Sequence, residues 1–153
     1  MNDDTPDYLA IMRLQRSYAD IATRAAWNEV ASLATPDASF SFDTHSGKVF
    51  EMKGPVAFGE FGASMTGSFT FYEYIPLNFV VTIGSDGTAE GRSYSLEVAE
   101  DGETGDWVEF YGVYRDEYKL FEGSWRFSLR HYRTFGRRTG GRLEAFALED
   151  RPR

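Results

Sequence analysis

The sequence predicts an α+β domain in which a curved, mostly antiparallel sheet wraps around one long helix. Three observations predict it. The N-terminal part carries apolar residues at helical spacing, everything after Gly67 alternates with the two-residue period of strands, and turn clusters cut that second part into four long runs. Helices first and antiparallel strands after are the mark of α+β rather than of alternating α/β.

Thr5-Pro6 opens the first helix, with Thr as N-cap and Pro in the first turn, where its missing N–H costs nothing. Ile11, Leu14, Tyr18, Ile21, Ala22 and Ala25 then form one apolar stripe over a helix of about 6–25. A short helix of about 27–34 carries Trp27, Val30, Ala31 and Ala34, and Thr35-Pro36-Asp37 ends it. Ser39–Phe42 and Lys48–Met52 read as a strand pair around the Asp43–Gly47 turn. Gly54-Pro55 opens a third helix to about Met65, weakened by Gly59 and Gly62. Strands of about 70–83, 88–99, 107–121 and 124–135 follow, split at Gly84–Gly87, Glu100–Gly105 and Glu122-Gly123. One domain over 1–136 and a polar tail over 137–153 account for the chain.

Composition narrows the function. There are no cysteines, so disulfides, thiolate metal sites and cysteine nucleophiles are excluded. The two histidines are isolated and the carboxylates scattered, so no metal or other cofactor is expected. A net charge of −8 repels nucleic acid. Arg137, Arg138, Arg142, Arg151 and Arg153 enrich the C-terminal stretch, but Glu144, Glu149 and Asp150 interrupt it, which marks a solvated tail. The acidic N-terminus is no secretory signal and no run is long enough to span a membrane, so a cytoplasmic protein with no membrane partner is expected. With 13 Phe, 9 Tyr and 3 Trp, the aromatic content suits either a dense core or a cavity for a small hydrophobic molecule.

Four strings in order resemble the SnoaL-like family of the nuclear transport factor 2-like superfamily. Leu14–Asp20 followed by Trp27 resembles the family's first helix, and Leu33–Phe40 its entry into the first strand. Gly87–Gly91 resembles a strand start, and Tyr114–Tyr118 with Glu122–Phe127 and Arg130 the closing hairpin. The resemblance implies a cone-shaped barrel, the curved sheet wrapping a long N-terminal helix and two shorter ones, with an apolar cavity. It also implies homodimers through the outer sheet face.

Lyases of this family pair an Asp late in the first helix with a His on the first long strand. Matched to those positions, this chain has Thr23 and Tyr74, so the resemblance implies that the usual dyad is absent. Asn78 falls near Tyr74, and Arg130 falls where dehydrochlorinase-like members turn an Arg toward substrate, able to stabilise developing negative charge. Strand alternation opposes that placement: His131 shares parity with Trp125, Phe127 and Leu129, so Arg130 turns inward only if the strand twists or bulges. His131 is then the competing candidate base. His45, in its turn, is expected in solvent. On the next strands Tyr94 shares a face with Arg92 and Leu96, opposite Glu97. Tyr114 shares one with Val108, Phe110 and Gly112, opposite Glu109 and Tyr111. A buried glutamate with a raised pKa could replace the missing base, although the outer sheet face is its expected place.

Three roles fit. The first is a cofactor-independent lyase, isomerase or cyclase for an aromatic or polycyclic substrate. Tyr18, Tyr74, Arg130 and His131 are its candidate catalytic residues, and Thr23, Trp27, Phe42, Asn78, Tyr94 and Tyr114 its substrate contacts. The second is a non-catalytic binding domain. The third is an assembly subunit like the β subunit of ring-hydroxylating dioxygenases. The first implies a neutral hydrogen-bonding site with one fixed positive charge and no activity inflection near the histidine value of about 6.5.

Overall fold

The computed structural model describes residues 3–148, so the expectations resting on Glu149, Asp150, Arg151 and Arg153 lie outside the described residues. Helix α1 spans Thr5–Thr23 and buries Ile11, Leu14, Gln15, Tyr18, Ala19, Ile21 and Ala22. It ends before Ala25, which leaves the expected stripe. Ala25 adopts φ 53°, its N–H bonds the Ala22 carbonyl at 3.1 Å, and the Ala26 N–H reaches back to Ile21 at 2.9 Å. That is a Schellman reversal built on alanine where glycine is the usual occupant. It turns the chain so that Trp27 re-enters the core. The second helix, Trp27–Leu33, is of the 3-10 type.

Strands β1 (Ala34–Asp43) and β2 (Val49–Lys53) pair antiparallel, and helix α2 follows at Pro55–Thr66. Strands β3 (Phe69–Ile83), β4 (Thr88–Asp101), β5 (Trp107–Phe121) and β6 (Ser124–Thr139) form an antiparallel meander. β1 joins β6 in parallel, giving an open, curved sheet in the order β2-β1-β6-β5-β4-β3. The expected tail is partly sheet: β6 runs to Thr139, and β7 (Arg142–Ala145) folds back on it, pairing Arg137 with Glu144. No helix among the described residues is long and apolar enough to cross a membrane.

The core lies between α1 and the concave sheet face and is largely aromatic. Glycines allow two close approaches there. Gly62 on α2 lies against the Trp27 ring, 2.5 Å from where a Cβ would be, and the Tyr132 ring lies where a Cβ on Gly112 would project. Trp125 and Phe127 are both buried, and Trp125 Nε1–H donates to Asp7 Oδ1 at 2.8 Å, tying β6 to the first turn of α1.

Candidate functional site

A β-bulge decides which way β6 points its side chains. Tyr118 pairs with Phe127 and Glu117 with Leu129, which leaves Ser128 unpaired. The extra residue reverses parity, so Phe127, Arg130, Tyr132 and Thr134 all face inward while His131 faces out. Inside, Arg130 sits opposite Asp116 across β5–β6, its Nε 3.1 Å from Oδ1, with both side chains fully buried.

Gln15 from α1 completes this pair. Its Oε1 accepts from Arg130 Nη2 at 2.9 Å, and its Nε2 donates to Asp116 Oδ2 at 2.8 Å and to the Tyr118 hydroxyl at 2.6 Å. Tyr118 in turn donates to Asp116 at 3.2 Å. The guanidinium also lies over the rings of Tyr114 and Tyr18, at 3.8 and 4.0 Å. Burial raises the Asp116 carboxyl, while Arg130, Gln15 and Tyr118 pull it back. Burial alone would loosen the Arg130 proton, but Asp116 holds it well above the ordinary arginine range. Arg130 is thus neutralised, not the lone fixed charge expected of the site.

Beside this layer lies a cavity of about 270 Å³. Tyr18, Trp27, Phe42, Phe58, Phe61 and Tyr114 form its aromatic wall, with Tyr72, Glu97, Phe110, Tyr132, Thr134 and Arg137 along the sheet. A wider groove of about 770 Å³ runs along the outside of α1, but Arg13, Arg16, Asp20 and Arg24 line it and it is open to solvent. The smaller cavity has what chemistry needs: an apolar wall and a titratable group.

That group is Glu97. β4 turns Ser93, Ser95, Glu97 and Ala99 inward, and the Tyr72 hydroxyl donates to Glu97 Oε2 at 2.7 Å. Desolvation pushes the carboxyl up to about 7, against the opposing pull of the Tyr72 hydrogen bond and of Arg130. Burial also pushes Tyr18 up to about 12, which keeps its hydroxyl protonated.

Of the residues singled out from sequence, Tyr18, Trp27, Phe42 and Tyr114 line the cavity together. Tyr74 is buried one layer behind, edge-on to Tyr18 at 5.3 Å, and Arg130 lies in the same layer. The rest lie elsewhere. Thr23 is exposed at the end of α1, where its Oγ1 accepts the Tyr74 backbone N–H at 3.0 Å and so pins β3 to the helix. Asn78 is exposed at an irregularity of the β3–β4 pairing, Tyr94 stands on the outer face against Phe135, and His131 is exposed. His45, expected in solvent, is half-buried and stacked on Phe146 at 3.9 Å. Sequence reasoning missed Tyr72, Thr134, Arg137 and the Asp116–Gln15 part of the network, and it expected glutamates on the outer face.

A model of the SnoaL-like domain matches residues 3–131. Among solved structures, one provisionally named a scytalone dehydratase, from Novosphingobium aromaticivorans, superposes with a TM-score of 0.82 at 21% identity, covering 98% of this chain and 97% of that one. A type 2 hexachlorocyclohexane dehydrochlorinase gives 0.77 at 17% identity, covering 95% and 96%. A type 3 dehydrochlorinase from Novosphingobium barchaimii gives 0.74 at 17%, covering 97% of each chain. No curated protein sequence matches. At these identities the structural likenesses establish the fold.

Proposed function

The chain belongs to the SnoaL-like domain family, and from that premise we propose a proton-transfer enzyme, an isomerase or lyase, acting on a small aromatic substrate in the cone cavity. One observation carries the reading: Glu97, a carboxyl poised near 7, stands in an aromatic-walled cavity and is oriented by the Tyr72 hydroxyl. A base poised near the working pH balances availability against proton affinity. Glu97 takes a proton from a substrate carbon, and the C–H electron pair passes into the adjacent conjugated system. The protonated Glu97 then returns the proton at another carbon, or a leaving group departs with the electron pair. Tyr114 and Tyr132 line the same cavity, and their hydroxyls would support developing charge on a substrate oxygen.

The cavity volume is just under the usual range for drug-sized ligands, so one- or two-ring substrates fit best. The proposal includes a homodimer through the outer sheet face, where Tyr94, Leu96, Tyr111 and Phe135 are half-buried side chains on neighbouring strands. Sedimentation equilibrium giving a 17.3 kDa monomer at micromolar concentration removes the dimer.

The catalytic reading is tested by α-proton exchange of bicyclic aromatic ketones such as 2-tetralone in D2O, followed by NMR. The protein should accelerate exchange with an inflection near 7, and Glu97→Gln should abolish the acceleration. Binding of the ketones without any acceleration would leave a ligand-binding domain instead.

A further inference from the structure

The cavity floor has a linear order that the strand register makes explicit. Glu97 on β4 pairs with Phe110 on β5, and Phe110 pairs with Arg137 on β6. All three face the cavity. Neighbouring strands lie about 4.8 Å apart, so the carboxyl-bearing and guanidinium-bearing positions stand about 10 Å apart with an aromatic ring between them. Among the described residues, Arg137 is the one cationic side chain on the cavity lining, since Arg130 is sealed beneath it. β7 and the residue after it contact Arg137: Glu144 Oε2 accepts from Nη2 at 3.1 Å, and the guanidinium lies over the Phe146 ring at 5.6 Å. Arg137 keeps 28% of its side chain accessible and Glu144 59%. An exposed ion pair of this kind is weak and yields to a better anion.

We propose that Arg137 determines substrate specificity by binding the carboxylate of a planar arene that lies across Phe110 with its far end against Glu97. Three features of the row select such a ligand. Arg presents a planar fork of donors that matches a carboxylate, the Phe110 ring offers a stacking surface, and two strand spacings approximate the long axis of a fused two-ring system. Glu144 acts as the stand-in anion that the ligand displaces. The inference rests on the cavity being the substrate site, as proposed above.

The test is calorimetric titration with 2-naphthoate and with 2-naphthylmethanol, which shares the ring system but carries no charge. The unmodified protein should bind the acid about tenfold more tightly than the alcohol, the difference expected of one charge-assisted contact. Arg137→Gln should remove that preference, bringing the acid-to-alcohol affinity ratio to about one, while Arg137→Lys should keep part of it. Glu144→Gln should tighten the acid and leave the alcohol as before. Equal affinities for acid and alcohol in the unmodified protein overturn the role of Arg137 while leaving the cavity reading intact, and that comparison needs no variant to fold. Preference for the acid that survives Arg137→Gln overturns the role too. If neither compound binds, the cavity reading falls and this proposal with it.

Discussion

Arg130 and Asp116 face each other across β5 and β6, 3.1 Å apart and completely sealed from solvent. Each is the other's compensation, because an unpaired charge at that depth has no water to replace the lost partner. Removing one member, by Asp116→Asn or Arg130→Met, should cost about 3–5 kcal/mol of stability. Making both changes together should cost less than the sum of the single changes. Urea unfolding of the two singles and the double closes the cycle. Additive losses would mean that the pair is not coupled.

Glu97 gives the stability a pH dependence of known sign. Its folded pKa, about 7, lies above the unfolded glutamate value of 4.5, so between these pH values the folded state holds more proton than the unfolded one. Stability contributed by this group is therefore full below pH 4.5 and falls as pH rises to about 7. Glu97→Gln should remove that part of the slope. Melting temperatures measured across pH 4.5–8 check it, and identical slopes for the variant and the parent protein would show that Glu97 is not the group responsible.

The order of elements was legible because long amphipathic α1 and the turn-punctuated strands β3 to β6 follow local rules. The site was only partly so, and β4 explains why. Its outer side chains, Tyr94 and Leu96, are large and apolar, whereas its inner ones include Ser93, Ser95 and Ala99. A pattern reader therefore takes the outer face for the core. The inner residues are small because rings from other strands occupy the space: Tyr132, for example, lies over Gly112, which pairs with Ser95. Glu97 sits on that small-residue face, so strand parity correctly set it opposite Tyr94 but could not say which face was inside. Arg130 needed one more fact, the bulge at Ser128, which arises from pairing between strands and leaves no signature in the local sequence. Arg137 was hidden for a different reason. A stretch rich in arginine reads as solvated tail until β7 is seen to pair with it.

Ala25 is a site for stabilisation. It holds φ 53°, a conformation that costs an L-residue with a Cβ about 1 kcal/mol and costs glycine nothing. Ala25→Gly should raise stability by a few tenths to about 1 kcal/mol, the gain in the folded state being partly offset by a more flexible unfolded chain. Thermal unfolding measures it. A lower melting temperature would mean that the methyl group makes a contact worth more than the backbone strain.

Gly62 is the converse case, a helical glycine whose replacement by alanine should destabilise. In an exposed helix interior the change gains about 1 kcal/mol. Here the new Cβ would sit 2.5 Å from the Trp27 ring. That ring has little freedom to retreat: its Nε1–H donates to Thr66 Oγ1 at 3.0 Å, and Tyr18 and Phe58 meet it edge-on at 6.3 and 6.1 Å. Overpacking of this sort costs about 1–3 kcal/mol, which exceeds the helix gain. Because Trp27 and Gly62 both line the cavity, the displaced ring should also weaken binding of 2-naphthylmethanol. Ser64→Ala on the exposed side of α2 serves as the control and should be neutral or slightly stabilising. If Gly62→Ala raises the melting temperature as Ser64→Ala does and leaves binding untouched, then Trp27 is not the fixed wall of the cavity.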